Sequence, residues 1–115
     1  MNQDEHAWLK LGEECSEVRQ RIDKLLQFGP LEKEPGQGLT NMQRLRLEVA
    51  DVSAAIFRLV DKGLFDPMKG DELRGHIYLK DSKVDCYLAL SIELGCVTPQ
   101  TTANTDMGEH TNENA

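Results

Sequence analysis

Leu45-Arg46-Leu47-Glu48-Val49-Ala50-Asp51-Val52 is the stretch that decides how this chain is read. It sits inside a run of helical spacing from Asn41 to Lys62. At about 100° per residue, Leu45, Val49, Val52, Ile56 and Leu59 share one broad apolar face, and Leu47, Ala50, Ala54 and Phe57 form a second apolar sector. Between them runs a narrow polar seam of Arg44, Glu48 and Asp51, with small Ala55 one turn further on. A helix apolar on nearly all sides is normally buried, whereas carboxylates are seldom buried unless their charge is compensated. Glu48 and Asp51, three apart and on one side, therefore require a cation. Arg44 and Arg58 are the local candidates; a bound metal is the other.

Working outward, Asn2 with Glu5 reads as a capping pattern for a first helix, and Gly29-Pro30 stops that helix after Phe28. Trp8, Leu11, Cys15, Val18, Ile22, Leu25 and Leu26 line one face of it, and Lys10, Glu13, Glu14, Glu17 and Arg21 the other, Glu14 being nearest the apolar border. Residues 29–39, with three glycines and two prolines, are a loop. Thr40 with Gln43 caps the second helix and Gly63 ends it. A short connection of this kind favours an antiparallel hairpin. Asp66-Pro67 could open a further turn, with Pro at its first position. Beyond Gly70, Leu73, Ile77, Val84, Leu88 and Ile92 recur at helical spacing up to Gly95. The pattern fits one helix, or two with a break near Asp81-Ser82, where Ser82 and Asp85 could cap a new start.

The chain has 115 residues, enough for a single core, so residues 1–97 are expected to form one helical domain and 98–115 a flexible polar tail. Only six residues are aromatic, which suits a helical bundle. A net charge of −7 argues against a nucleic-acid partner, whose phosphates call for a concentrated basic surface. Cys15, Cys86 and Cys96 lack CxxC spacing and read as reduced core thiols of a cytoplasmic protein. The acidic start, Met1-Asn2-Gln3-Asp4-Glu5, is unlike a signal peptide, and no apolar run approaches the roughly 20 residues that cross a membrane. Walker A, GxGxxG, zinc and nucleophile-elbow patterns are missing from the sequence. His6, His76 and His110 form no ExxH pair, which counts against a di-iron bundle.

Two constellations carry chemistry. Glu14 and Glu17 form one i, i+3 pair, and Glu48 and Asp51 the other, on helices expected to be neighbours. Either pair alone is what a solvated helix face or a salt-bridged seam displays. At an interaxial distance of roughly 8–10 Å, the two together can turn four carboxylates toward one point. An all-oxygen set suits a hard cation, Mg²⁺ or Mn²⁺. Because Mg²⁺ favours one or two carboxylates plus substrate phosphates, the natural third party is a polyphosphate.

Leu11-Gly12-Glu13-Glu14-Cys15-Ser16-Glu17-Val18, a spacer, then Leu47-Glu48-Val49-Ala50-Asp51-Val52 resembles the MazG-like all-α nucleoside triphosphate pyrophosphohydrolases, whose signature is ExxE, a loop and ExxD. The likeness covers residues 5–62 well and 70–95 loosely. It implies an all-α antiparallel helical bundle completed by oligomerisation, as a homodimer or homotetramer with sites built from more than one subunit. It implies a Mg²⁺-dependent enzyme that hydrolyses a (d)NTP between the α and β phosphates to a nucleoside monophosphate and pyrophosphate. On that resemblance Glu14, Glu17, Glu48 and Asp51 are metal ligands and catalytic residues, one of them orienting the attacking water. The family often carries a Lys-hydrophobic-Asp-x-Asn-x-x-Arg element used on phosphates. Lys83-Val84-Asp85-Cys86-Tyr87 matches its start, but Tyr87 stands where Asn is usual and Leu90 where Arg is usual. Lys83, Trp8 and Tyr87 are the candidate substrate contacts, with Trp8 and His6 one to two turns before the acids, where a base could stack. The competing reading is a non-enzymatic helical oligomerisation or adaptor protein whose acidic seam docks a basic partner.

Overall fold

A computed structural model of the chain describes residues 1–100. It is helical, with no strand among the described residues: α1 spans Gln3–Phe28, α2 Asn41–Asp61 and α3 Gly70–Glu93. The chain divides into two units, Met1–Pro67 and Met68–Ala115. Residues 101–115, most of the expected polar tail, lie outside the described residues. None of the helices is long and apolar enough to cross a membrane, among the described residues.

The first unit is a hairpin of α1 and α2. Both helices begin in full capping boxes, Asn2 with Glu5 and Thr40 with Gln43, so in each N-terminal turn the N–H groups of the cap residue and of the third helical residue are satisfied. α1 ends at Gly29, whose φ is 89°. The antiparallel sense is fixed at both ends. At one, the Asn41 side chain donates to the Gly29 carbonyl at 2.9 Å and to Glu32 Oε2 at 2.7 Å, and its own N–H donates to the Glu32 carbonyl at 2.9 Å. At the other, Lys62 Nζ lies 3.0 Å from Asp4 Oδ1. α2 is closed by a Schellman pattern in which Gly63 N–H donates to Val60 O and Leu64 N–H to Leu59 O, both at 2.9 Å. The φ of 73° at Gly63 is open to a residue without Cβ. Asp66-Pro67 starts no helical turn: 65–69 is irregular.

The faces that meet in the hairpin follow a 4-3 spacing. On α1 the covered or half-covered positions include Ala7, Leu11, Glu14, Val18, Arg21 and Leu25; on α2 they include Asn41, Leu45, Glu48, Val52, Ala55 and Leu59. That is the spacing of an antiparallel coiled-coil pair; on α2 it covers most of the expected apolar face, Leu45, Val52, Ile56 and Leu59 but not Val49, and on α1 only Leu11, Val18 and Leu25 of it. The α1 seam is rotated by one residue at alternate turns from the line of Trp8, Cys15 and Ile22 toward Glu14 and Arg21, and those three apolar residues stay exposed. On α2, Val49, Leu47 and Phe57 are likewise exposed. Among the described residues only Leu59 and Ala7 are buried apolar side chains. The expectation that α2 is buried on nearly all sides is therefore corrected within this chain, because a single partner helix covers a single stripe. The thiols are free as expected but not in the core: Cys15, Cys86 and Cys96 are all exposed.

In the second unit α3 is one continuous helix, which decides between the two alternatives left by the pattern. Ser82 is no cap; its hydroxyl donates to the Tyr78 carbonyl at 3.0 Å, a local bond a helix interior tolerates. A second Schellman closure ends it, with Cys96 N–H donating to Ser91 O at 2.9 Å across Gly95. No residue of α3 is buried.

Candidate metal centre and groove

Glu14 and Glu48 occupy seam positions of the hairpin where the 4-3 pattern normally places apolar side chains, so both are half-buried. Glu17, one turn on from Glu14 and outside the seam, is exposed. One carboxylate oxygen from each of Glu14, Glu17 and Glu48 can be chosen so that all lie within 4.8 Å of one another. Three of the four acids read from the sequence thus converge. Asp51 stands beside the cluster and shares a groove with Glu14.

The electrostatics are those of crowded acids. Burial first, then the charge of and hydrogen bonding with Glu17, then the charge of Asp51, hold the Glu14 carboxyl above the usual carboxylate range. Glu48 is raised in the same way, by burial first, then by hydrogen bonding to and the charge of Glu17, and further by Asp51 and Glu14. Glu14 Oε2 and Glu48 Oε2 are buried with no hydrogen-bond partner. Orphaned carboxylate oxygens in a seam are costly unless a cation meets them. The nearby arginines do not supply it in full. Arg44 Nη1 is turned to Glu34 Oε2 at 2.9 Å, where Arg21 and Lys24 also gather at 3.7 and 3.8 Å. That loop carboxylate is held below its usual range chiefly by its hydrogen bond from Arg44.

The two sides of the hairpin differ. On one, Cys15, Val18, Val49 and Val52 line a shallow apolar depression of about 220 Å³. On the other, an open groove of about 440 Å³ is lined by Glu14 and Asp51, by His6, Lys10 and Arg58, and by Ala7, Ala54 and Ala55. The three alanines leave the space, since their side chains stop at Cβ. Lys10 is also paired with Glu13 at 2.8 Å, which lowers the Glu13 carboxyl. Arg58 lines the groove without an ion pair among the described residues.

Of the candidate substrate contacts, Trp8 packs edge-on against Phe65, ring centroids 5.9 Å apart and planes at 72°, and is 44% exposed. It does not line the groove. Lys83 and Tyr87 lie on α3 in the second unit, both exposed. The groove cations Lys10 and Arg58 were not read as ligand contacts from the sequence. Their signal is spacing: Lys10 is one turn before Glu14, and Arg58 is two turns after Asp51 with small residues between. No family model, curated protein or solved structure matches this chain.

Proposed function

We propose that the hairpin is the site of a Mg²⁺-dependent pyrophosphohydrolase that cleaves a (d)NTP between its α and β phosphates, giving a nucleoside monophosphate and pyrophosphate. The observation that carries the reading is the pair of orphaned carboxylate oxygens, Glu14 Oε2 and Glu48 Oε2, within a three-acid cluster that opens beside a groove. The donor set is all oxygen, which suits Mg²⁺ or Mn²⁺ and not zinc or a soft metal. Glu14, Glu17 and Glu48 would hold the ion, with Asp51 at its margin. Bound Mg²⁺ supplies charge neutralisation for the phosphates and a more acidic water. The residues' own part is to bring negative groups to one point, so that Glu14, Glu17 and Glu48 offer the ion ionised oxygens and Asp51 stands free beside them to orient a water. The likeness of the ExxE and ExxD pairs to the MazG-like enzymes supports the same assignment, as does a hairpin whose exposed apolar side fits assembly into a homodimer or homotetramer.

The test is a panel of NTPs and dNTPs with Mg²⁺, read as pyrophosphate release. Activity with at least one, abolished by Glu48→Gln and by chelation, is the expected result. No release with any nucleotide, together with Mn²⁺ binding unaltered in Glu48→Gln, would sink the reading and leave the acidic seam as a docking face for a basic partner.

A further inference from the structure

From the groove beside the acids, we infer that Arg58, with Lys10, forms a subsite for the phosphate chain of the ligand, so that phosphate recognition in this protein is built into the hairpin itself. The inference rests on the pyrophosphohydrolase reading for the identity of the ligand, and on the groove's composition for the subsite. Along α1 the groove residues follow as Glu14, Lys10 and His6, each one turn from the last; along α2 they follow as Asp51, then Ala54 and Ala55, then Arg58. At 1.5 Å per residue the run from acids to His6 and Arg58 covers roughly 10 Å. Charge changes sign along it. The acidic part fits a cation and the basic part fits an anion, which is the pattern of a metal-chelated polyphosphate rather than of either ion alone.

Arg58 is the centre of this subsite for two reasons. It lines this groove and also a second, smaller one of about 140 Å³ shared with His6, Gln3 and Lys62. And it holds no ion pair among the described residues, whereas Lys62 is tied to Asp4 and Lys10 to Glu13. A guanidinium has the planar fork that matches phosphate oxygens two at a time.

Calorimetry on the full chain with inorganic tripolyphosphate and Mn²⁺ tests this. Mn²⁺ alone is titrated first, then tripolyphosphate in excess Mn²⁺, for wild type, Arg58→Gln, Arg58→Lys and Lys10→Ala. Arg58→Gln is expected to weaken tripolyphosphate by about 10- to 100-fold, the loss of a hydrogen-bonded charge, and to leave Mn²⁺ affinity unchanged. Arg58→Lys should fall between, as a point charge without the fork, and Lys10→Ala should show a smaller loss. Wild-type affinity in Arg58→Gln and Arg58→Lys, or no tripolyphosphate binding by wild type, overturns the subsite. Its failure is separable from that of the enzyme: nucleotide hydrolysis with Arg58 variants unaffected sinks only the subsite, and Arg58-dependent tripolyphosphate binding without hydrolysis sinks only the reaction.

Discussion

Glu48 shows what the site demands of a single residue. It is half-buried at a seam position, with one oxygen orphaned and Glu17, Asp51 and Glu14 all adding negative potential. Both Glu48 and Glu14 hold protons more tightly folded than unfolded, so the folded state binds more protons between the ordinary carboxylate range and their raised values. Stability must then fall as pH rises through that interval and recover as pH is lowered through it. Glu34 acts in the opposite sense, since its carboxyl is lowered: its contribution is lost as pH drops below the usual carboxylate range. In chelator the melting temperature should therefore climb as pH is lowered through the interval just above the ordinary carboxylate range, then turn over in acid. Glu48→Gln should flatten the upper limb and raise the melting temperature at neutral pH by a few degrees. Mg²⁺ at a hundredfold excess over its Kd contributes about 2.7 kcal/mol in wild type, and this gain should vanish in Glu48→Gln. A melting temperature that instead rises steadily in chelator as pH is raised through that interval excludes the crowded-acid account.

At the scale of the helix, the starts and stops were legible because they are local chemistry. Asn2, Thr40, Gly29 and Gly63 each satisfy or release backbone groups within a few residues. The buried face was legible on α2, where Leu45, Val52, Ile56 and Leu59 are covered as their spacing predicts, and only partly on α1, where apolar counting selects Trp8, Cys15 and Ile22 but the hairpin packs a stripe displaced toward Glu14 and Arg21. The continuity of α3 was open for a related reason: Ser82 suits a cap and a helix interior alike, and its bond to Tyr78 is visible only in three dimensions. Asn41 was missed altogether, although it is fully buried and ties the loop to α2 through Gly29 and Glu32. Asn41→Ala strands those acceptors and should cost about 1–3 kcal/mol. Leu59→Ala, in the most enclosed apolar position, should cost about 2–5 kcal/mol. Urea unfolding of the two variants measures both, and an Asn41→Ala midpoint equal to wild type would show that the loop is held by its backbone bonds alone.

On the scale of the whole molecule, the difficulty is the small amount of enclosed apolar surface. Ala7 and Leu59 are the buried apolar side chains of the described residues, while Trp8, Ile22, Val49, Phe57 and the apolar residues of α3 remain open to solvent. Exposed apolar area on this scale marks an association surface. The Cys15, Val18, Val49 and Val52 depression faces away from the charged groove, so a second copy seated there leaves the ligand site open. We therefore predict an assembly of twice or four times the 12.9 kDa chain mass. Val49→Glu places a charge in that depression and should reduce the mass to that of one chain, with a fall in melting temperature that depends on protein concentration in wild type and not in the variant. Glu17→Gln, on the exposed acidic side, should leave the mass unchanged. Sedimentation equilibrium decides the matter: a wild-type chain that sediments as a monomer and still unfolds cooperatively needs no second copy, and the oligomer then fails while the carboxylate cluster, which lies wholly within one hairpin, stands.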